Sequence, residues 1–79
     1  MITKQEKELR NKIKFFLKNK TKVHVTKKDG MWLNGFLNSY FKSNDCYLFI
    51  EDKLGKIYLF FSEIEEISQY TEKGVGENE

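Results

Sequence analysis

Residues 22–40 read KVHVTKKDGMWLNGFLNSY, and the reading of this stretch decides the fold. Val23 and Val25 alternate with polar residues as a short strand does, Lys28-Asp29-Gly30 makes a turn, and a longer alternating run follows with Gly35 at its middle. Asp-Gly between two alternating runs predicts a hairpin, because glycine supplies the positive φ that a tight turn needs. A glycine inside a strand costs stability unless the strand bends sharply there or another backbone comes close. The expectation is a long second strand that bends at Gly35 and curls a small sheet into a barrel. A bulge without closure is the alternative that the same residue allows.

Upstream of this hairpin, Thr3 is followed three residues later by Glu6, a capping-box spacing that starts a helix. Leu9, Ile13, Phe16 and Leu17 then recur at i, i+4, i+7 and i+8, which predicts about four turns with an apolar stripe and leaves Lys7, Arg10, Lys14 and Lys18 to water. Asn19-Lys20-Thr21 closes the helix. A helix of this length is marginal alone in water, so its stripe must lie on the sheet that follows.

Within the second strand Met31, Leu33, Gly35 and Leu37 share one face, and Trp32, Asn34, Phe36 and Asn38 share the other. Both faces carry large apolar groups. In a barrel this small one face fills the interior and the other meets a helix or a neighbouring subunit. After a polar turn at Lys42-Ser43-Asn44-Asp45, the third strand runs from Cys46 to Glu51, with Cys46, Leu48 and Ile50 expected inward and Tyr47 and Phe49 outward. Asp52-Lys53-Leu54-Gly55 makes the next turn. The fourth strand, Lys56 to Phe61, sets Ile57, Leu59 and Phe61 against Tyr58 and Phe60; Ser62-Glu63 breaks it, and Ile64 and Ile67 belong to a short fifth strand ending near Tyr70. Residues 1–70 therefore form one domain. Residues 71–79, with Gly74, Gly76 and three glutamates, read as a disordered acidic tail.

Seventy-nine residues, 39% hydrophobic and 15% aromatic, suffice for one thin core and not for two. A lone cysteine, Cys46, cannot close an intramolecular disulfide, and with His24 as the one histidine the two make no metal site. No apolar run approaches a membrane span and the amino terminus has no signal-peptide pattern, so the expectation is a cytoplasmic chain without cofactor or metal. His24 has no candidate nucleophile beside it and Glu63, Glu65 and Glu66 read as a solvated strand edge, so no constellation of nucleophile, base and oxyanion donor points to an enzyme. The net charge of +2 hides a division. Residues 1–28 hold ten Lys/Arg against two acids, and residues 29–79 hold ten acids against four Lys/Arg. Lysines so spread read either as a solvated face or as a surface that meets phosphate or an acidic partner.

A helix followed by five short strands, the second long and bent at a glycine, resembles the Sm-like (Lsm and Hfq) family over roughly Lys12 to Ser68. The residues that carry the resemblance are Val23-His24-Val25, Lys28-Asp29-Gly30, Leu33-Asn34-Gly35-Phe36-Leu37 and Leu48-Phe49-Ile50-Glu51-Asp52, then Ile57 to Ser62 followed by Ile64-Glu65-Glu66-Ile67. What the resemblance implies is an N-terminal helix on a strongly bent, five-stranded antiparallel small barrel. It implies also a homo-oligomeric ring, hexamer or heptamer, in which the fourth strand of one copy joins the fifth of the next, and a single-stranded RNA partner. The family's Asp-x-x-Met-Asn segment falls on Lys42 to Asn44, Cys46 and Tyr47, with a turn one residue longer. Its Arg-Gly or Tyr-Lys-His falls on Phe60-Phe61 and Ser62, so the arginine or lysine of the pore is absent.

The residues expected to meet RNA are thus Lys42, Asn44, Tyr47, Phe60 and Ser62, with aromatic stacking in place of the standard pocket. Lys7, Arg10, Lys14 and Lys18 of the helix, and Lys22 beyond it, are expected on phosphates. Stacking on an exposed Tyr or Phe contributes about 1–3 kcal/mol per base with little sequence preference. The competing reading has Tyr47, Phe49, Tyr58 and Phe60 packed under the helix or across a subunit contact, and the barrel serving as a protein-interaction module that binds no RNA.

Overall fold

The computed structural model describes residues 3–71; the tail expected at 71–79 lies, apart from Thr71, outside the described residues. Helix α1 spans Lys4–Asn19, with the Thr3 hydroxyl oxygen accepting the Glu6 N–H at 3.0 Å. It ends where Lys20 turns left-handed at φ 53° and returns its N–H to the Phe16 carbonyl. Ile13 and Phe16 are buried and Leu9 and Leu17 pack beside them, so the stripe that the spacing predicts is the face that docks. Burying each such side chain stabilises the fold by about 1.5–3 kcal/mol, which is what holds the helix in place.

Five strands follow: β1 (Val23–Lys27), β2 (Trp32–Phe41), β3 (Cys46–Glu51), β4 (Gly55–Phe60) and β5 (Ile64–Gln69), with a 3₁₀ turn at Phe61–Glu63. All neighbours are antiparallel, in the order β4-β3-β2-β1-β5. Asp29 Oδ1 accepts the Met31 N–H at 2.9 Å and Gly30 takes φ 95°, closing the first hairpin as the Asp-Gly pair predicts. Among the described residues the two edges, β4 and β5, are unpaired, so the sheet is open where the sequence suggested a closed barrel.

Gly35 stands where the two halves of the sheet meet. This residue pairs with Val23 of β1 on one side and Glu51 of β3 on the other, so one strand serves two ladders that meet at it. A Cβ there would overlap the Ile50 carbonyl oxygen and lie 2.9 Å from Glu51 Cα. Close backbone approach is therefore the reason for this glycine, as the sequence allowed.

Cys46 is buried as expected, but from Tyr47 onward β3 faces the opposite way from the expectation. Phe49 is fully buried and Tyr47 is 5% exposed, both in the core with Leu37 and Leu59, while Leu48 and Ile50 lie half-buried on the outer side. The β2–β3 register shifts between Leu37 and Ser39, placing Phe49 opposite Leu37 and Tyr47 opposite Tyr40. Cys46-Tyr47-Leu48-Phe49-Ile50 offers no polar residue to set the phase, so the partner strand sets it. In β4 the expected alternation holds, with Leu59 inward and Tyr58 and Phe60 exposed. A second shift, between Thr26 and Lys27, lets Ile64 and Ile67, three residues apart, both enter the core from β5.

Candidate nucleic-acid interface

The turn between β2 and β3 meets helix α1 at the candidate site. Asp45 holds φ 52°, a left-handed conformation that aspartate tolerates better than most residues, and its carbonyl accepts the Phe61 N–H at 3.0 Å. That bond fixes the turn of Lys42 and Asn44 beside the 3₁₀ turn of Ser62. Its carboxylate faces α1, where Arg10 Nη1 donates to Oδ1 at 3.1 Å and Nη2 to Oδ2 at 2.7 Å, a bidentate pair. The Tyr40 hydroxyl donates to the same Oδ1 at 2.8 Å, and the Arg10 guanidinium carbon stands 3.7 Å from the centre of the Phe61 ring.

This network sets the electrostatics. The Arg10 hydrogen bonds hold the Asp45 carboxyl below the usual carboxylate range, and the same bonds raise the Arg10 pKa. Its bond to Asp45 pushes the Tyr40 hydroxyl up, and burial pushes Tyr47 up to about 12, so both phenols stay neutral at ordinary pH.

Beside the network lies a groove of about 630 Å³, walled by Lys7, Arg10, Asn11, Lys14 and Leu17 of α1 and by Tyr40 and Tyr47 of the sheet. The helical residues recur at spacings of three and four, so one face of α1 carries them all. Tyr40 is 39% exposed and packs at a tilt of 36° against the buried Tyr47, ring centres 4.8 Å apart, giving an aromatic floor with one accessible ring. Lys7 and Lys14 are exposed and make no ion pair among the described residues.

The structure gathers four of the residues expected at RNA, Lys7, Arg10, Lys14 and Tyr47, around one groove. Two have different parts from those expected: Tyr47 lies under Tyr40 and presents no free ring, and Arg10 is half-buried in an ion pair instead of open to water. Lys18 is exposed in the last turn of α1, outside the groove, and Lys22 pairs with Asp52 at 2.8 Å above the Tyr70 ring. Lys42, Asn44, Phe60 and Ser62 are exposed near one end of the sheet, where Phe60 pairs with Cys46. Sequence reasoning missed Tyr40, Asn11 and Asp45. Asn11 had a signal, standing on the same helical face as Lys7 and Lys14; Tyr40 and Asp45 had none.

Elsewhere, His24 Nδ1 lies 2.7 Å from Asn34 Oδ1 and its ring is 5.6 Å from that of Trp32. Glu66 pairs with Lys12 at 2.7 Å, and among the described residues no group of His, Cys, Asp and Glu could hold a metal ion. No helix among them is long and apolar enough to cross a membrane.

No family model and no curated protein sequence matches the chain. Among solved structures it is similar to a 1.55 Å crystal structure of "the pleiotropic translational regulator, Hfq", with a TM-score of 0.64 and 16% identity over 89% of this chain and 100% of that one. At that identity the likeness speaks for the fold alone: an N-terminal helix on a bent, open five-stranded sheet of the Sm-like type.

Proposed function

We propose, from this Hfq-like fold and the groove it carries, that the chain is a non-catalytic protein that binds single-stranded RNA and assembles as a homo-oligomeric ring. The observation that carries the reading is the conjunction of two ammonium groups that make no ion pair among the described residues, Lys7 and Lys14, with the accessible face of Tyr40. Lysines grip the phosphate backbone without regard to sequence, and an aromatic face accepts any base. That the similar structure is described as a translational regulator is in keeping with an RNA partner.

The ring reading rests on the two unpaired edges. β4 exposes Lys56, Tyr58 and Phe60, and β5 exposes Glu65 and Glu66, so the two edges differ in charge and suit head-to-tail pairing between copies.

Fluorescence anisotropy with labelled oligo-U and oligo-A across a salt series tests the binding. Log affinity is expected to fall linearly with log salt, and Lys7→Gln with Lys14→Gln to flatten the slope by about 0.7 per lysine. No binding at micromolar protein, or binding indifferent to salt, sinks the reading. Light scattering tests the ring separately, a six- or seven-fold mass supporting it and a monomer removing it. A second reading, a protein-interaction module, is favoured by the exposed Phe36, Phe41, Tyr58 and Phe60; pull-downs that recover protein free of nucleic acid would decide for it.

A further inference from the structure

Resting on the nucleic-acid reading of the groove, we infer that Asp45 is a built-in competitor for phosphate, which occupies Arg10 and lowers the groove's affinity until a backbone phosphate displaces it. A carboxylate presents two oxygens to the guanidinium fork, and a phosphate presents the same pair with more charge. Arg10 spends both Nη groups on Asp45, and its only other carboxylate within ion-pair reach among the described residues is Glu6, at 4.0 Å.

The contact is open to exchange. The side chains of Arg10 and Asp45 are 30% and 43% exposed, and an ion pair so wetted contributes little to stability. Arg10 has a second support besides Asp45, because the Phe61 ring lies under the guanidinium, and Lys7 and Lys14 stand on the same helix face. A phosphate drawn in by those two lysines therefore meets Arg10 already aimed at it. Release of Asp45 also frees the Tyr40 hydroxyl, so a neutral donor and the third cation become available together beside the accessible ring.

Asp45→Asn tests this with little disturbance, since asparagine tolerates the left-handed backbone and keeps the carbonyl that receives the Phe61 N–H. With a labelled 15-nucleotide oligo-U the variant is expected to bind about 3- to 10-fold tighter, with a salt slope steeper by about 0.7. Placed on Arg10→Gln, the same substitution is expected to gain nothing. Where the parent binds the oligonucleotide, an equal gain in both backgrounds overturns the inference, because mere loss of a negative charge would then suffice, and so does no gain in either, because Asp45 would then compete with nothing. The Arg10 Nε–H resonance, followed on adding inorganic tripolyphosphate, reads the exchange without RNA. It is expected to move at lower concentration in Asp45→Asn than in the parent, and equal movement overturns the inference too. Movement as expected with no oligonucleotide bound by either protein upholds the competition and sinks the RNA reading; equal oligonucleotide binding with equal slopes does the reverse.

Discussion

At Gly35 the chain has no room for a side chain, because the Ile50 carbonyl occupies the place of a Cβ. Gly35→Ala is therefore expected to cost at least about 1–3 kcal/mol as the two ladders are forced apart, read as a fall in the urea midpoint of unfolding. Glu51, at the end of β3, works in the opposite sense by accepting. Its carboxylate takes the N–H groups of Leu54 (2.8 Å), Lys53 (2.7 Å) and Asn34 (3.2 Å), and these bonds hold its pKa below the usual range. A carboxyl whose pKa is lower folded than unfolded lends stability in full above its ordinary pKa and loses it as pH falls through the folded value. Asp45 acts with the same sign. The urea midpoint is thus expected to drop between about pH 5 and pH 3, and Glu51→Gln to make that drop shallower. A drop of unchanged size in the variant would show that the Glu51 bonds do not hold the turn.

Among the elements, β3 separates two accounts of the core. With Tyr47 and Phe49 inside, Phe49→Ala is expected to cost about 3–5 kcal/mol, while Ile50→Thr on the outer side costs about 1 kcal/mol or less. The reverse ranking in chemical denaturation would restore the facing that alternation alone suggested. Helix α1 draws little stability from its own sequence and much from Ile13 and Phe16, yet its first turn still needs a partner for the Glu6 N–H. Thr3→Ala is expected to lower stability by about 1 kcal/mol and to leave the groove, which begins a turn further on, in place.

For the molecule as a whole, the division of charge places the cations on α1 and β1 and the acids on the later strands, with β5 presenting Glu65 and Glu66 to one edge. The other edge, β4, carries exposed aromatic rings beside Lys56. If identical copies join through these edges, Tyr58→Glu with Phe60→Glu sets acid against acid and desolvates charge at the contact. Light scattering is then expected to report a monomer with unchanged far-ultraviolet circular dichroism. An oligomer that survives both substitutions would locate the contact elsewhere.

The sequence by itself determined what short-range physics decides. The capped helix with its apolar stripe, the Asp-Gly hairpin, the close backbone approach at Gly35, the break at Ser62-Glu63 and the facing of β4 all follow from spacing, turn chemistry and alternation, which act within a few residues of each other. The lysines of the candidate groove were legible for the same reason, since one helical face carries them. Only the tertiary structure decided the facing of β3, because a run of apolar residues has no phase until a shifted register in β2 imposes one. It alone left the sheet open and set Tyr40 over Tyr47. And it alone turned Arg10 from a solvent-facing cation into the partner of Asp45, 35 residues away, a pairing that exists only once the helix has docked across the end of the sheet.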